Sequence, residues 1–88
     1  MPTISSFYGI KIYIYWADQN SHNLPHFHAF YGEYEAVYSL NGDLIVGRMP
    51  KIANSLVKTW ALENLELIEY AWVQAVQKKP LPAIKGLK

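Results

Sequence analysis

Between Ile10 and Trp16 the chain reads IKIYIYW, a strict alternation. Ile10, Ile12, Ile14 and Trp16 fall on one side, and Lys11, Tyr13 and Tyr15 on the other. Period-2 alternation marks a strand with one face on a core and the other toward solvent. The isoleucine side therefore needs a covering layer, and the strand needs neighbours to satisfy its backbone.

The following segments supply the neighbours. A polar loop, ADQNSHNL, leads to Pro25. PHFHAFY and YEAVYSL then flank Gly32-Glu33, a Gly-X pair suited to a type II′ hairpin turn. NGD at 41–43 is a further turn signal, and LIVG forms a short fourth strand. The expectation is an antiparallel meander of roughly four strands, to which Pro2–Ser5 adds a short extra one.

The covering layer comes next. Pro50 fits the first turn of a helix, where its missing N–H costs nothing. Ile52, Ala53, Leu56, Val57, Trp60 and Ala61 share one helical face, and Leu67, Ile68, Ala71, Trp72, Ala75 and Val76 form a second apolar stripe. A single helix over 51–77 would run about 40 Å at 1.5 Å per residue. A domain of this length has a radius of gyration of only about 12 Å. A break is therefore expected near Glu63-Asn64, with Asn64 as a cap. The tail, KKPLPAIKGLK, carries two prolines and four lysines. It reads as extended, with Leu81 and Ile84 docking on the body.

These pieces make an α+β fold, a sheet with two C-terminal helices packed on one face. The chain reads as a single domain over residues 1–88: sheet about 3–47, helices about 50–77, extended basic tail 78–88. Its 88 residues leave no room for a second core. With 51% hydrophobic residues, the chain as a whole is not disordered. The absence of cysteine excludes a disulfide framework and a thiolate zinc site. A formal charge of +1 does not announce nucleic acid or membrane. No basic n-region precedes a long apolar stretch, and no apolar run reaches the 18 or so residues a span needs. The default expectation is a cytoplasmic protein with no membrane contact.

The hairpin register decides where the histidines point. A two-residue turn at Gly32-Glu33 pairs Tyr31 with Tyr34, Phe30 with Glu35, His28 with Val37 and His26 with Ser39. Cross-strand partners share a face. Phe27, Ala29, Tyr31, Tyr34, Ala36, Tyr38 and Leu40 then face the helices, and His26, His28, Phe30, Glu35, Val37 and Ser39 face away with Lys11, Tyr13 and Tyr15. On this register His26 and His28 are expected to be at least partly exposed.

Three chemistries fit such a face. A His-x-His pair on a strand is a metal half-site, and His26 and His28 with Glu35, His22 or Asp18 would make a divalent-metal site, zinc being the natural ion. That set would serve a small metal-dependent hydrolase or nuclease. HFHAF is similar to the histidine-triad hydrolases, but Phe30 stands where the nucleophilic third histidine would be. Tyr13 and Tyr15 with Lys11 could instead form a base-stacking surface. Arg48, Lys51 and Lys58 near a helix start would favour anions, including nucleic-acid phosphates. The third reading is a protein partner covering the aromatic face. No glycine-rich phosphate loop or serine nucleophile elbow is present.

MPTIS, PHFHA, YGEYEA and GRMPKIA, followed by a helical segment with Trp60 and Trp72, resemble a small bacterial family, the domain of unknown function 4160 family. The resemblance spans residues 1–85. Typical members have a shorter D-x-x-P-P-H-F-H approach; here DQNSHNLPHFH is longer and adds His22. The resemblance implies no established activity. It does imply a prokaryotic cytoplasmic protein, often encoded beside another small protein in arrangements that look like toxin–antitoxin pairs. The expected role is an interaction or regulatory module whose partner is the neighbouring-gene product or a second copy of itself.

Overall fold

The computed structural model describes residues 3–14 and 24–87. The described chain runs β1 (Thr3–Phe7), β2 (Ile10–Tyr13), β3 (His26–Tyr31), β4 (Tyr34–Ser39), β5 (Leu44–Gly47), α1 (Lys51–Glu63) and α2 (Leu65–Val76). The sheet is antiparallel with order β1-β2-β3-β4-β5, so every strand pairs with its sequence neighbour. The α+β expectation holds, but the sheet has five strands rather than four. The strand expected at Pro2–Ser5 is a full member. Its period is hidden because Ile4 is an extra residue between the rungs Thr3–Tyr13 and Ser5–Ile12. That bulge lets Ile4 and Phe7, three positions apart, both be buried.

The β3–β4 register is the expected one, from Tyr31–Tyr34 through Phe30–Glu35 and His28–Val37 to His26–Ser39. Gly32 has φ 58°, which glycine adopts without the penalty a Cβ would bring. Tyr13 lies opposite His28 and Lys11 opposite Phe30, so one face carries Lys11, Tyr13, His28, Phe30, Glu35, Val37 and Ser39. Strand β2 is shorter than expected: it ends at Tyr13, with Ile14 buried just beyond it. Tyr15 and Trp16 lie outside the described residues, as do Asp18 and His22.

The opposite face holds the core. Ile10, Ile12, Phe27, Ala29, Tyr38, Val57, Trp60, Ala61, Ile68 and Ala71 are fully buried in one cluster. Trp60 stacks on Phe7 at 5.4 Å between ring centroids and meets Phe27 edge-on at 5.6 Å. Phe27 stacks on Tyr38 at 5.5 Å, and the Tyr38 hydroxyl donates to Asn54 Oδ1 at 2.7 Å. Burial pushes the Tyr38 phenol up to about 12.

The helical break falls where the length argument places it. The longest dimension of the described body is 33 Å, shorter than a continuous helix over 51–77 would be. Asn64 closes α1 and opens α2: its Nδ2 donates to the Trp60 carbonyl at 2.9 Å and its own carbonyl accepts from the Ile68 N–H at 2.9 Å, while its side chain caps no N–H of α2. The buried arcs are also narrower than the sequence stripes. Ile52, Leu67 and Val76, expected on apolar faces, are exposed. They lie at stripe margins that curve away from the sheet.

The tail docks as expected. Ile84 is buried, and Leu81 packs against the core. The Ile84 N–H donates to the Ile4 carbonyl at 2.7 Å, and Trp60 Nε1 donates to the Lys85 carbonyl at 3.0 Å. This segment runs beside β1, while at the other end of the sheet every residue of β5 is exposed.

Candidate functional site

His26 and His28 share a face because i and i+2 of a strand do. Their surroundings differ from the expectation. Both are buried, at 2% and 8% exposure, so the accessible pair predicted from the register is corrected. Trp72 of α2 covers part of His26, with the two ring centroids 5.2 Å apart. The two imidazoles are themselves 5.3 Å apart, close to edge-on. His26 Nδ1 lies 2.9 Å from the Leu24 carbonyl, a contact in which the nitrogen must carry the proton. Across the sheet His28 stands between Tyr13 and Val37.

The proposed ligand set does not gather within the described chain. Glu35 lies on the histidine face, two residues along β4 from the partner of His28, and is exposed. Among the described residues no three His, Cys, Asp or Glu side chains are placed to hold one ion. Asp18 and His22 lie outside the described residues.

The aromatic and basic candidates are also dispersed. Tyr13 is half-buried and meets Phe30 edge-on at 5.2 Å. With Lys11, Gly9 and Gly32 these two rings line a shallow depression on the open sheet face. Tyr15 lies outside the described residues. Arg48 and Lys51 are exposed on either side of Pro50. Lys58 is seven residues along α1, roughly 10 Å by helical rise, and its ammonium pairs with Asp43 at 2.5 Å. The three cations do not converge as the sequence spacing implied.

Two surface features were missed. The first is a cleft of about 730 Å³ between the β1–β2 turn, α1 and the tail, lined by Tyr8, Tyr31, Leu56, Thr59, Glu63 and neighbouring residues. Tyr8 lies in the left-handed region at φ 51°, followed by Gly9 at 81°. That pair of angles makes a type I′ turn, where Asn-Gly is the usual choice. No sequence signal announces this cleft, because its walls come from four separated segments.

The second feature is on the helices. Leu62, Leu67, Tyr70, Val73 and Val76 are each 48–55% exposed. Leu62, Leu65 and Leu67 line one depression at the α1–α2 junction with Glu63, Asn64 and Glu66. A signal did exist: Tyr70 and Val73 fall off the buried stripe, and large apolar side chains there have no core to enter.

Residues 9–73 match the family described as Domain of unknown function (DUF4160). The chain belongs to that family. The DUF4160 match is shorter than the span of 1–85 expected from motifs alone: PHFHA, YGEYEA, GRMPKIA, Trp60 and Trp72 lie within it, and MPTIS lies outside. No curated protein and no solved structure matches the chain. The DUF4160 stretch contains both the buried histidine pair and most of the exposed helical set. No helix among the described residues is long and apolar enough to cross a membrane.

Proposed function

We propose that this DUF4160 chain is a protein-interaction module, one member of a two-protein set. The observation that carries the reading is the number of large apolar side chains left uncovered: Leu44, Ile45 and Val46 on the edge strand β5, and separately Leu67, Tyr70, Val73 and Val76 along α2. Isolated exposed apolar residues are ordinary, but several on one element point to a surface that another molecule covers. Burial of both histidines favours this reading over a small hydrolase built on the pair, because a catalytic imidazole must reach its substrate.

The test is co-expression with the product of the adjacent gene, followed by light scattering behind size exclusion. A complex of defined stoichiometry is expected, with the chain alone as the comparison. A chain that stays monomeric, alone and with its neighbour, removes the reading.

A further inference from the structure

The uncovered helical face carries a charge pattern that constrains what can sit on it. Glu63, Glu66 and Glu69 lie among its apolar residues, and no Lys, Arg or His occurs between Thr59 and Gln77. The chain as a whole is +1, so this stretch of −3 is a local departure from the rest. Glu66 precedes Tyr70 by four residues and Glu69 precedes Val73 by four, which puts a carboxylate one turn from each of these two exposed side chains. The three carboxylates are exposed, and none forms an ion pair among the described residues.

We infer that the exposed side of α2 from Leu67 to Val73 is the docking surface for a basic amphipathic helix of a protein partner, an inference that rests on the interaction reading above. The partner's apolar stripe would lie on Leu67, Tyr70 and Val73, which follow one another at i, i+3 along α2, and neighbouring Lys or Arg would meet Glu66 and Glu69. On α2 the stretch from Leu67 to Val73 covers seven residues, roughly 10 Å of helical rise, which matches about two turns of a partner helix. A second copy is the poorer occupant. A two-fold contact would place the same acidic face against itself, and like charges would oppose it.

The probe is a synthetic 18-residue amphipathic peptide of leucine and lysine, with a leucine–glutamate peptide of the same pattern as its counterpart. Amide shifts of the labelled protein report where each binds, and anisotropy reports affinity. The lysine peptide should shift the amides of α2, bind more weakly as salt rises, and leave the hairpin unmoved. Glu66→Gln with Glu69→Gln should weaken it about five- to tenfold, the scale of two exposed ion pairs. Val73→Ser should weaken it without changing the salt dependence. Glu33→Gln with Glu35→Gln, on the hairpin, should change neither.

Equal affinity for both peptides, no binding, or shifts centred on β5 would overturn the inference. A dimer in solution that Val73→Asp dissociates would also overturn it, in favour of a second copy. The interaction reading is judged separately by the adjacent-gene complex. A complex that forms and ignores the Glu66 and Glu69 substitutions sinks only the assignment of this face.

Discussion

Ile84→Ala isolates what the tail contributes. Ile84 is 4% exposed, and its N–H holds the Ile4 carbonyl at 2.7 Å. Alanine keeps that backbone bond and removes three carbons from the core. Buried isoleucine-to-alanine changes cost about 2–5 kcal/mol, according to how far the site collapses. The tail is held at one side and can follow the smaller side chain inward, so the low end, about 2–3 kcal/mol, is expected. An 88-residue chain has a total stability of roughly 4–13 kcal/mol. The substitution should therefore lower the melting temperature by roughly 10–20 °C. Urea unfolding followed by tryptophan fluorescence measures the change, and the slope against urea should stay at the parental value. Ala83→Ser, at the exposed neighbouring position, should stay within about 0.5 kcal/mol of the parent. If Ile84→Ala is no worse than Ala83→Ser, the tail is not part of the core and the account of Trp60 and Ile4 fails with it.

Three further outcomes follow from particular contacts. The folded Tyr38 phenol sits at about 12 against an unfolded value near 10. The unfolded chain therefore loses its proton first, and stability should be complete below pH 10 and fall by about 1.4 kcal/mol per unit up to pH 12, a slope that Tyr38→Phe reduces in urea melts at stepped pH. Gly47→Ala should destabilise strongly, because φ is 97° and an added Cβ would lie 2.4 Å from the Glu35 carbonyl oxygen; parental thermal melts would show that the β4–β5 approach is looser than described. His26→Ala with His28→Ala should cost about 2–4 kcal/mol by opening space beside Trp72, and thermal melts and a zinc titration of parent and variant separate this packing role from a ligand role: equal melts would refute packing.

Much of the sheet was legible because its signals are local. Gly32-Glu33 fixes the β3–β4 register within a few residues, and register determines every face from His26 to Ser39. The helix break was legible from length alone. Strand β1 was harder, because the bulge at Ile4 erases its alternation and Tyr8-Gly9 forms its turn without the usual asparagine. The histidines show where such reasoning stops. Alternation placed them on the correct strand face, yet His26 packs against Trp72, 46 positions away in the chain, a contact no local pattern announces. Likewise the Arg48, Lys51 and Lys58 spacing was visible, but the pairing of Lys58 with Asp43 depends on how the 41–43 turn meets α1.

The neighbour-to-neighbour order of the strands has a kinetic consequence. Each ladder of the sheet joins segments close in sequence, so the hairpins can form early with little loop entropy to overcome. The bond between Ile84 and Ile4 spans 80 positions. Closing that loop costs about 2–3 kcal/mol more than closing a hairpin of a few residues. The tail should therefore attach after the rate-limiting barrier, and a substitution at Ile84 should show a φ-value near zero. Weakening that contact would leave the refolding rate close to its original value and carry the whole loss into faster unfolding.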